Sequence, residues 1–381
     1  MAELSRRTFL GSTIAIPLSG GTAPPPGKVA FTRCPDYGPA LTPVLAGLFD
    51  QLGGLRGLVN GKTVAVKINM TGSPRDRVGR TPAEYAQYTH PAVIGATVAL
   101  LGRAGARRIR LLECAFACGD PLGEFMLDAG WDPQALINAA PNVELENTNL
   151  PGPWKKFRRL PTPGGGYMFQ GFELSAAYEE CDVMVSVAKL KEHATCGITL
   201  AMKNMFGITP VTIYGDHAGK DDPAPVARGG RGPLHSASRQ PSTCAPAENN
   251  PGWSKNDKER VPRIVVDLCT ARPLHLNIID GIYSMAGGEG PWNGPRVRPV
   301  HPQLLIAGLN AVSTDAVGAA LMGFDPMAEK GAAPFEHCDS TLALAEAKGL
   351  GVRDLRRIEV IGPKIEDARF DFRSAPMPRR G

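Results

Sequence analysis

Aromatic residues make up only 6% of this 381-residue chain. They never interleave with basic residues in the way that single-stranded nucleic acid requires, so no nucleic-acid partner is expected. Charge of one sign is equally scarce, because Lys+Arg 42 against Asp+Glu 37 leaves a net charge of only +5. No apolar run has the length of a stable transmembrane span. The eight cysteines contain no CxxC, and the closest pair, Cys114 and Cys118, is separated by three residues. That excludes an iron–sulfur cluster built by this chain alone, and eight cysteines are too few to act as a disulfide framework for a core of this size. A dinucleotide fingerprint is also missing. Gly102 and Gly105 precede the apolar run that starts at Arg108, whereas the fingerprint needs its glycines after a strand.

What is present is a chain 43% hydrophobic with Gly 44 and Pro 35, enough for a large core threaded by many loops. At the amino terminus, Ser5 to Gly11 reads SRRTFLG, with Arg6 and Arg7 ahead of Phe9 and Leu10. This resembles a twin-arginine export leader, which implies the export machinery as a partner and a periplasmic or otherwise extracytoplasmic destination. The alternative is a basic tail. Residues 1–27 are assigned to leader and linker, and 28–381 to a single large α/β domain.

Hydrophobic periodicity predicts strands at Lys28 to Thr32, Lys62 to Asn69, Arg108 to Leu112, Val143 to Leu145, Val183 to Val187, Leu276 to Asp280, Leu304 to Gly308 and Ile358 to Ile361. Helices are expected at Ala40 to Leu52, Pro91 to Leu101 with Thr89 as cap, Pro121 to Ala129, Ile264 to Ala271 and Leu342 to Lys348. A further helical stretch is expected from Ile198 to Phe206, and Asp315 should sit in the first turn of a helix, as a cap or as a reacting group. The alternation implies a largely parallel sheet with helices on both faces. Residues 214–257 are rich in turn formers and read as a long irregular, lid-like insertion.

The most informative stretch is Cys181 to Pro210, CDVMVSVAKLKEHATCGITLAMKNMFGITP. An apolar strand gives way to Lys189, Lys191 and His193, which alternate and would share one side if the strand ran through them. Carboxyl ends of strands are where open α/β sheets bind ligands. Lys189, Lys191, His193 and Glu289 are therefore the catalytic candidates, and Lys67, Asn69, Lys203 and Asn204 the ligand- or cofactor-binding ones. Lys67 is anomalous inside a buried strand, and either snorkels to an edge or joins the same cleft. A divalent metal is a candidate cofactor, for which Glu113, Asp216, His217, His235 and Asp280 are the candidate ligands. The bland alternative for each is a solvated surface residue or a helix cap.

Four segments carry a resemblance. VAVKIN with Lys67 and Asn69, SVAKLKEHATCGITLAMKNMFG (Ser186 to Gly207), IIDGIYSMAGGEGP (Ile278 to Pro291) and NAVSTDAVGAALMGFDP (Asn310 to Pro326) resemble the domain-of-unknown-function 362 family, over about Val64 to Ile361. The resemblance implies an α/β fold and a motif map, not a known reaction. It also implies bacterial or archaeal relatives, some with twin-arginine leaders and some with ferredoxin-like modules. The missing cysteine run separates this chain from the last group.

Three functions follow as expectations. The first is an exported enzyme that hydrolyses or eliminates a small anionic or sugar-like substrate, with or without metal assistance, using closely spaced cations to bind the anion and to lower a lysine pKa. The second is an accessory protein that captures an anion or cofactor without turnover. The third is a redox partner whose cofactor belongs to another subunit.

Overall fold

Side chains along the strand Val183–Lys189 alternate between two hydrophobic clusters: Val183, Val185 and Val187 belong to one, and Met184 to the other. Successive residues of a strand point to opposite faces, so both faces of this strand are covered. Thr63–Lys67 repeats the pattern, with Val64 and Val66 on one side and Ala65 on the other. That is why both segments read as continuous apolar runs rather than alternating ones.

The computed structural model describes residues 27–150 and 156–374, so the arginine pair of the leader lies outside the described residues. Its centre is an eight-stranded sheet. From one edge the strands are Glu359–Ile361, Lys28–Arg33, Leu304–Gly308, Leu276–Gly281, Val183–Lys189, Thr63–Lys67, Arg108–Glu113 and Val143–Asn147. The last five of these are mutually parallel. Leu304–Gly308 runs antiparallel to both of its neighbours, and Glu359–Ile361 is parallel to Lys28–Arg33. The fold is therefore α/β around a largely parallel sheet.

Helices cover both faces. On one lie Leu41–Gln51, through Leu41, Leu45 and Leu48, and Pro91–Arg103, through Val93, Ile94, Val98 and Leu101. On the other lie Asp257–Ala271, through Val261, Ile264, Val265 and Leu268, and Ala311–Leu321, through Val312, Ala316 and Val317. Each such buried Leu, Ile or Val contributes roughly 1.5–3 kcal/mol relative to an exposed one.

The order of connections decides where a ligand can bind. From Thr63–Lys67 the chain builds outward to Arg108–Glu113 and Val143–Asn147. It then returns to pair Val183–Lys189 on the opposite side of Thr63–Lys67, and continues outward to Leu276–Gly281. Strand order thus reverses between Thr63–Lys67 and Val183–Lys189, and a crevice opens at the carboxyl ends of such a pair.

Several local expectations need correction. His90, not Thr89, caps the helix Pro91–Arg103: its Nδ1 accepts the Ala92 amide at 3.1 Å. The main strand stops at Lys189, and Lys191–His193 forms a separate hairpin with Gly197–Thr199. The expected helix from Ile198 shortens to Ala201–Asn204 followed by a 3-10 turn, Met205–Ile208. Asp315 does not cap its own helix, which Asn310 caps through the Ser313 amide. Its buried carboxylate instead accepts the amides of Ala201 and Met202 at 2.8 and 2.9 Å. Burial, only partly offset by these two bonds, pushes its pKa up to about 7. Helix Asp257–Ala271 starts seven residues before the expected Ile264, because Asn256 caps it through the Lys258 amide, and it runs on through Pro262 despite the missing N–H there. Within 214–257 the helix Gly232–Ser236 is surrounded mainly by turns, with Leu234 fully buried. A fully buried Arg260–Glu248 ion pair ties the segment to the Asp257–Ala271 helix.

Candidate functional site

Lys67 is the last residue of its strand and is 1% exposed. Its Nζ meets Glu113 Oε1 at 2.7 Å and donates to Asn204 Oδ1 at 3.2 Å and to the Ile68 carbonyl at 2.5 Å. It therefore does not snorkel. Glu113 ends the neighbouring strand, and its second oxygen accepts the Met70 amide at 3.0 Å. Burial nevertheless raises the Glu113 pKa, against the pull of Lys67 and of that amide. Gly207 is needed here for space. A Cβ at that position would stand 2.9 Å from Lys67 Nζ.

Asn204 and Asn69 extend the network. Asn69 Nδ2 donates to Asn204 Oδ1 at 3.0 Å, and Asn204 Nδ2 donates to the Ser186 hydroxyl at 3.0 Å. Lys191 Nζ reaches Asn69 Oδ1 at 3.3 Å, the Gln87 carbonyl at 2.6 Å and the Glu289 carbonyl at 3.2 Å. Three acceptors fix that nitrogen. Burial pushes its pKa well below the usual lysine range; Glu289 opposes this, while Lys189 and Lys203 reinforce it.

His193 stands beside Lys191 on the short hairpin. Its Nδ1 accepts the Thr195 amide at 3.1 Å, which leaves the ring proton on Nε2 in the neutral form. Burial holds its pKa well below 6.5 even though Glu289 lies 3.7 Å away. Burial alone would raise the Glu289 pKa, yet His193 together with the Ala194 amide and Trp292 Nε1–H, at 2.9 and 2.8 Å, bring it down to about 2.

These residues surround a cavity of about 70 Å³. Lys67, Asn69, Lys191, His193, Lys203, Asn204, Glu113 and Glu289 all line it, so eight of the thirteen sequence candidates converge. The lining also includes nine residues that the sequence reading did not select as site residues, among them Thr199, Arg231 and Phe206. Thr199 Oγ1 and Arg231 Nη2 are buried without a hydrogen-bond partner. Lys203 Nζ lies 4.4 Å from the centre of the Phe206 ring and makes no hydrogen bond or ion pair with the described residues. Its pKa is lowered by burial, with Arg231 and Lys67 adding to the effect.

The family profile described as a domain of unknown function, DUF362, matches residues 64–320, the span that supplies every one of these side chains. The chain belongs to the DUF362 family. A thylakoid-associated protein of Synechocystis sp. is 24% identical over 305 residues, covering 78% of this chain and 75% of that protein. Among solved structures, the lactate racemase apoprotein of Thermoanaerobacterium thermosaccharolyticum is 14% identical with a TM-score of 0.35, covering 71% of this chain and 54% of that one. A Thermotoga maritima protein is 14% identical with a TM-score of 0.33, covering 68% and 52%. This DUF362 chain spans about half the length of the solved structures it matches.

The remaining candidates lie elsewhere. Lys189 does not line the cavity: its Nζ pairs with Asp280 at 2.9 Å, both side chains being fully buried, and donates to the Glu84 carbonyl at 3.1 Å. Asp280 also accepts Tyr37 Oη–H at 3.0 Å and the His90 amide at 3.0 Å. Asp216 accepts the Gly232 amide, His217 is exposed, and His235 Nδ1 lies 2.9 Å from the Arg231 carbonyl. Among the described residues no three His, Cys, Asp or Glu side chains gather as a metal site would require. Nor is any helix among them long and apolar enough to cross a membrane.

Proposed function

We propose that this protein is an exported enzyme that binds a small anionic substrate in the 70 Å³ cavity and eliminates or hydrolyses it by proton transfer. The observation that carries the reading is a pair of buried donors without acceptors on one cavity, Thr199 Oγ1 and Arg231 Nη2, beside the partly buried ammonium of Lys203, which has no carboxylate partner among the described residues. A buried donor left unmade costs about 1–3 kcal/mol, and an oxyanion would satisfy both while pairing with Lys203. Lys191 and His193 supply the chemistry. Burial lowers the pKa of both, so Lys191 gives up its proton more readily than a solvated lysine and serves as the proton carrier, and neutral His193 donates a hydrogen bond from Nε2 to charge developing on the substrate oxygen.

The test is calorimetric titration of the purified full chain with acetate and with inorganic phosphate, alongside Lys203→Ala and Arg231→Ala. Saturable binding by wild type, weakened at least about tenfold in either variant, is expected; a tenfold change corresponds to about 1.4 kcal/mol. Equal affinity in all three proteins would remove the anion site. Turnover is read separately, by NMR of product formation from a panel of hydroxy acids and sugar acids. Binding without product from any member would favour the capture protein over the enzyme.

A further inference from the structure

His193 lines two spaces. One is the inner cavity, and the other is a larger cleft of about 730 Å³. The inner space has room for only a few atoms, roughly one oxyanion group, so a larger ligand extends beyond it, and His193 is the residue that the two spaces share. One wall of the cleft is the turn Gly287–Gly288. Gly287 has φ +87°, and a Cβ there would collide with the Arg296 carbonyl, so the wall closes only with glycine at that position.

The charges in the cleft do not balance locally. Arg298 is 8% exposed, and its guanidinium donates to the carbonyls of Arg296, Phe372 and Arg373 but forms no ion pair among the described residues; its Nε is buried without a partner. Lys258 and Arg296 also line the cleft and form no ion pair among the described residues. Of the acids there, Glu336 pairs with Arg373 at 3.6 Å and Glu192 accepts the Gly287 amide at 2.5 Å; with Asp257 they make three carboxylates against the four cations Lys258, Arg296, Arg298 and Arg373, so positive charge is in excess by one.

We propose that the ligand is bipartite, with one oxyanion seated among Thr199, Lys203 and Arg231, and a second anionic group in the outer cleft near Arg298, Arg296 and Lys258, the two joined past His193. This rests on the inner anion site proposed above and adds the class of molecule: an extended compound with an anion at each end. Linking two sites through one ligand raises affinity without any new contact, provided the linker spans them.

The experiment uses the full chain. Acetate and inorganic phosphate probe the inner site, and linear dicarboxylates from malonate to adipate probe the span. Some dicarboxylate in the series is expected to bind about tenfold or more tighter than acetate, with an optimum length. Because Arg298 is buried and its loss could unfold the cleft, the main variant is the Lys258→Ala, Arg296→Ala double change, with the thermal midpoint as a folding control. It should erase the gain while leaving acetate affinity within about twofold. If neither acetate nor phosphate binds, both the inner site and this proposal are overturned. If acetate or phosphate binds but no dicarboxylate gains, or the gain survives in the folded double variant, only the bipartite ligand is overturned.

Discussion

Lys67 and Glu113 meet across two adjacent parallel strands, Nζ to Oε1 at 2.7 Å, with side chains 1% and 4% exposed. Two ions removed from water this completely are held by each other and by the Met70 amide and Asn204. Breaking one partner of such a pair leaves an uncompensated buried charge.

Lys67→Met should therefore cost about 3–5 kcal/mol of unfolding free energy. Burial already raises the Glu113 pKa above 4.5, and losing Lys67 raises it further. The folded variant then holds a proton that the unfolded chain releases above pH 4.5, so its stability falls as pH rises. Urea unfolding between pH 4.5 and 8 should show a deficit that widens with pH. A deficit independent of pH would mean that Glu113 is not the group left stranded.

The position of Lys67 is legible in sequence because a lysine inside KTVAVKIN has no apolar reason to be there. The sheet is equally legible, since strands buried on both faces, such as TVAVK and VMVSVAK, keep apolar residues on both sides instead of alternating with polar ones. Arg231 is not legible. It lies in a glycine-rich turn segment, and only the fold brings it beside Lys203. The alternation of Lys189, Lys191 and His193 misleads for a related reason: Leu190 donates its amide to the Asp280 carbonyl, and the chain then leaves the sheet for a hairpin, so Lys189 stays with Asp280 while Lys191 and His193 turn to the cavity.

His90 couples the cap of Pro91–Arg103 to pH. Its ring stacks on Tyr37 at 3.6 Å, and burial lowers its pKa from 6.5 to about 4. Between those values the unfolded chain binds a proton that the folded chain refuses. This contribution is complete above pH 6.5 and is lost as pH falls toward 4. His90→Asn keeps a side chain suited to the cap. It should lower stability at pH 7 by about 1 kcal/mol through the lost stacking, yet flatten the decline from pH 6.5 to 4. An unchanged slope in acid denaturation would assign the decline to other groups.

Lys189 and Asp280 are predicted to hold the fold rather than the ligand. Lys189→Met strands Asp280 among Tyr37 and the His90 amide, and should cost about 3–5 kcal/mol. Acetate affinity should move by less than about threefold, since Lys189 does not line the cavity. A loss of affinity of about tenfold or more in a variant that remains folded would return Lys189 to the site.

Export is tested at Arg6 and Arg7, which lie outside the described residues. Changing both to Lys keeps the charge while removing the arginine pair that the export machinery reads. The folded variant should accumulate in the cytoplasm. Equal amounts of wild type and variant in the periplasmic fraction would end the twin-arginine reading.

His193→Ala separates hydrogen bonding in the transition state from anion capture. Alanine removes the ring and with it the Nε2–H donor. His193 is neutral in the folded protein, because burial holds its pKa well below 6.5, and Thr195 fixes Nδ1 as an acceptor. Its Nε2–H is thus available as a hydrogen-bond donor to developing negative charge across the whole range from pH 6.5 upward, so loss of the ring should lower turnover by about 10²–10³-fold without introducing a new pH dependence there. Acetate affinity should stay within about threefold, because Thr199, Lys203 and Arg231 remain in place. A second readout excludes simple collapse of the hairpin. Glu289 keeps its bonds to the Ala194 amide and Trp292, so the environment of that indole should be unchanged by fluorescence. Turnover near wild type in the folded variant would remove His193 from the chemistry and leave Lys191 as the proton carrier.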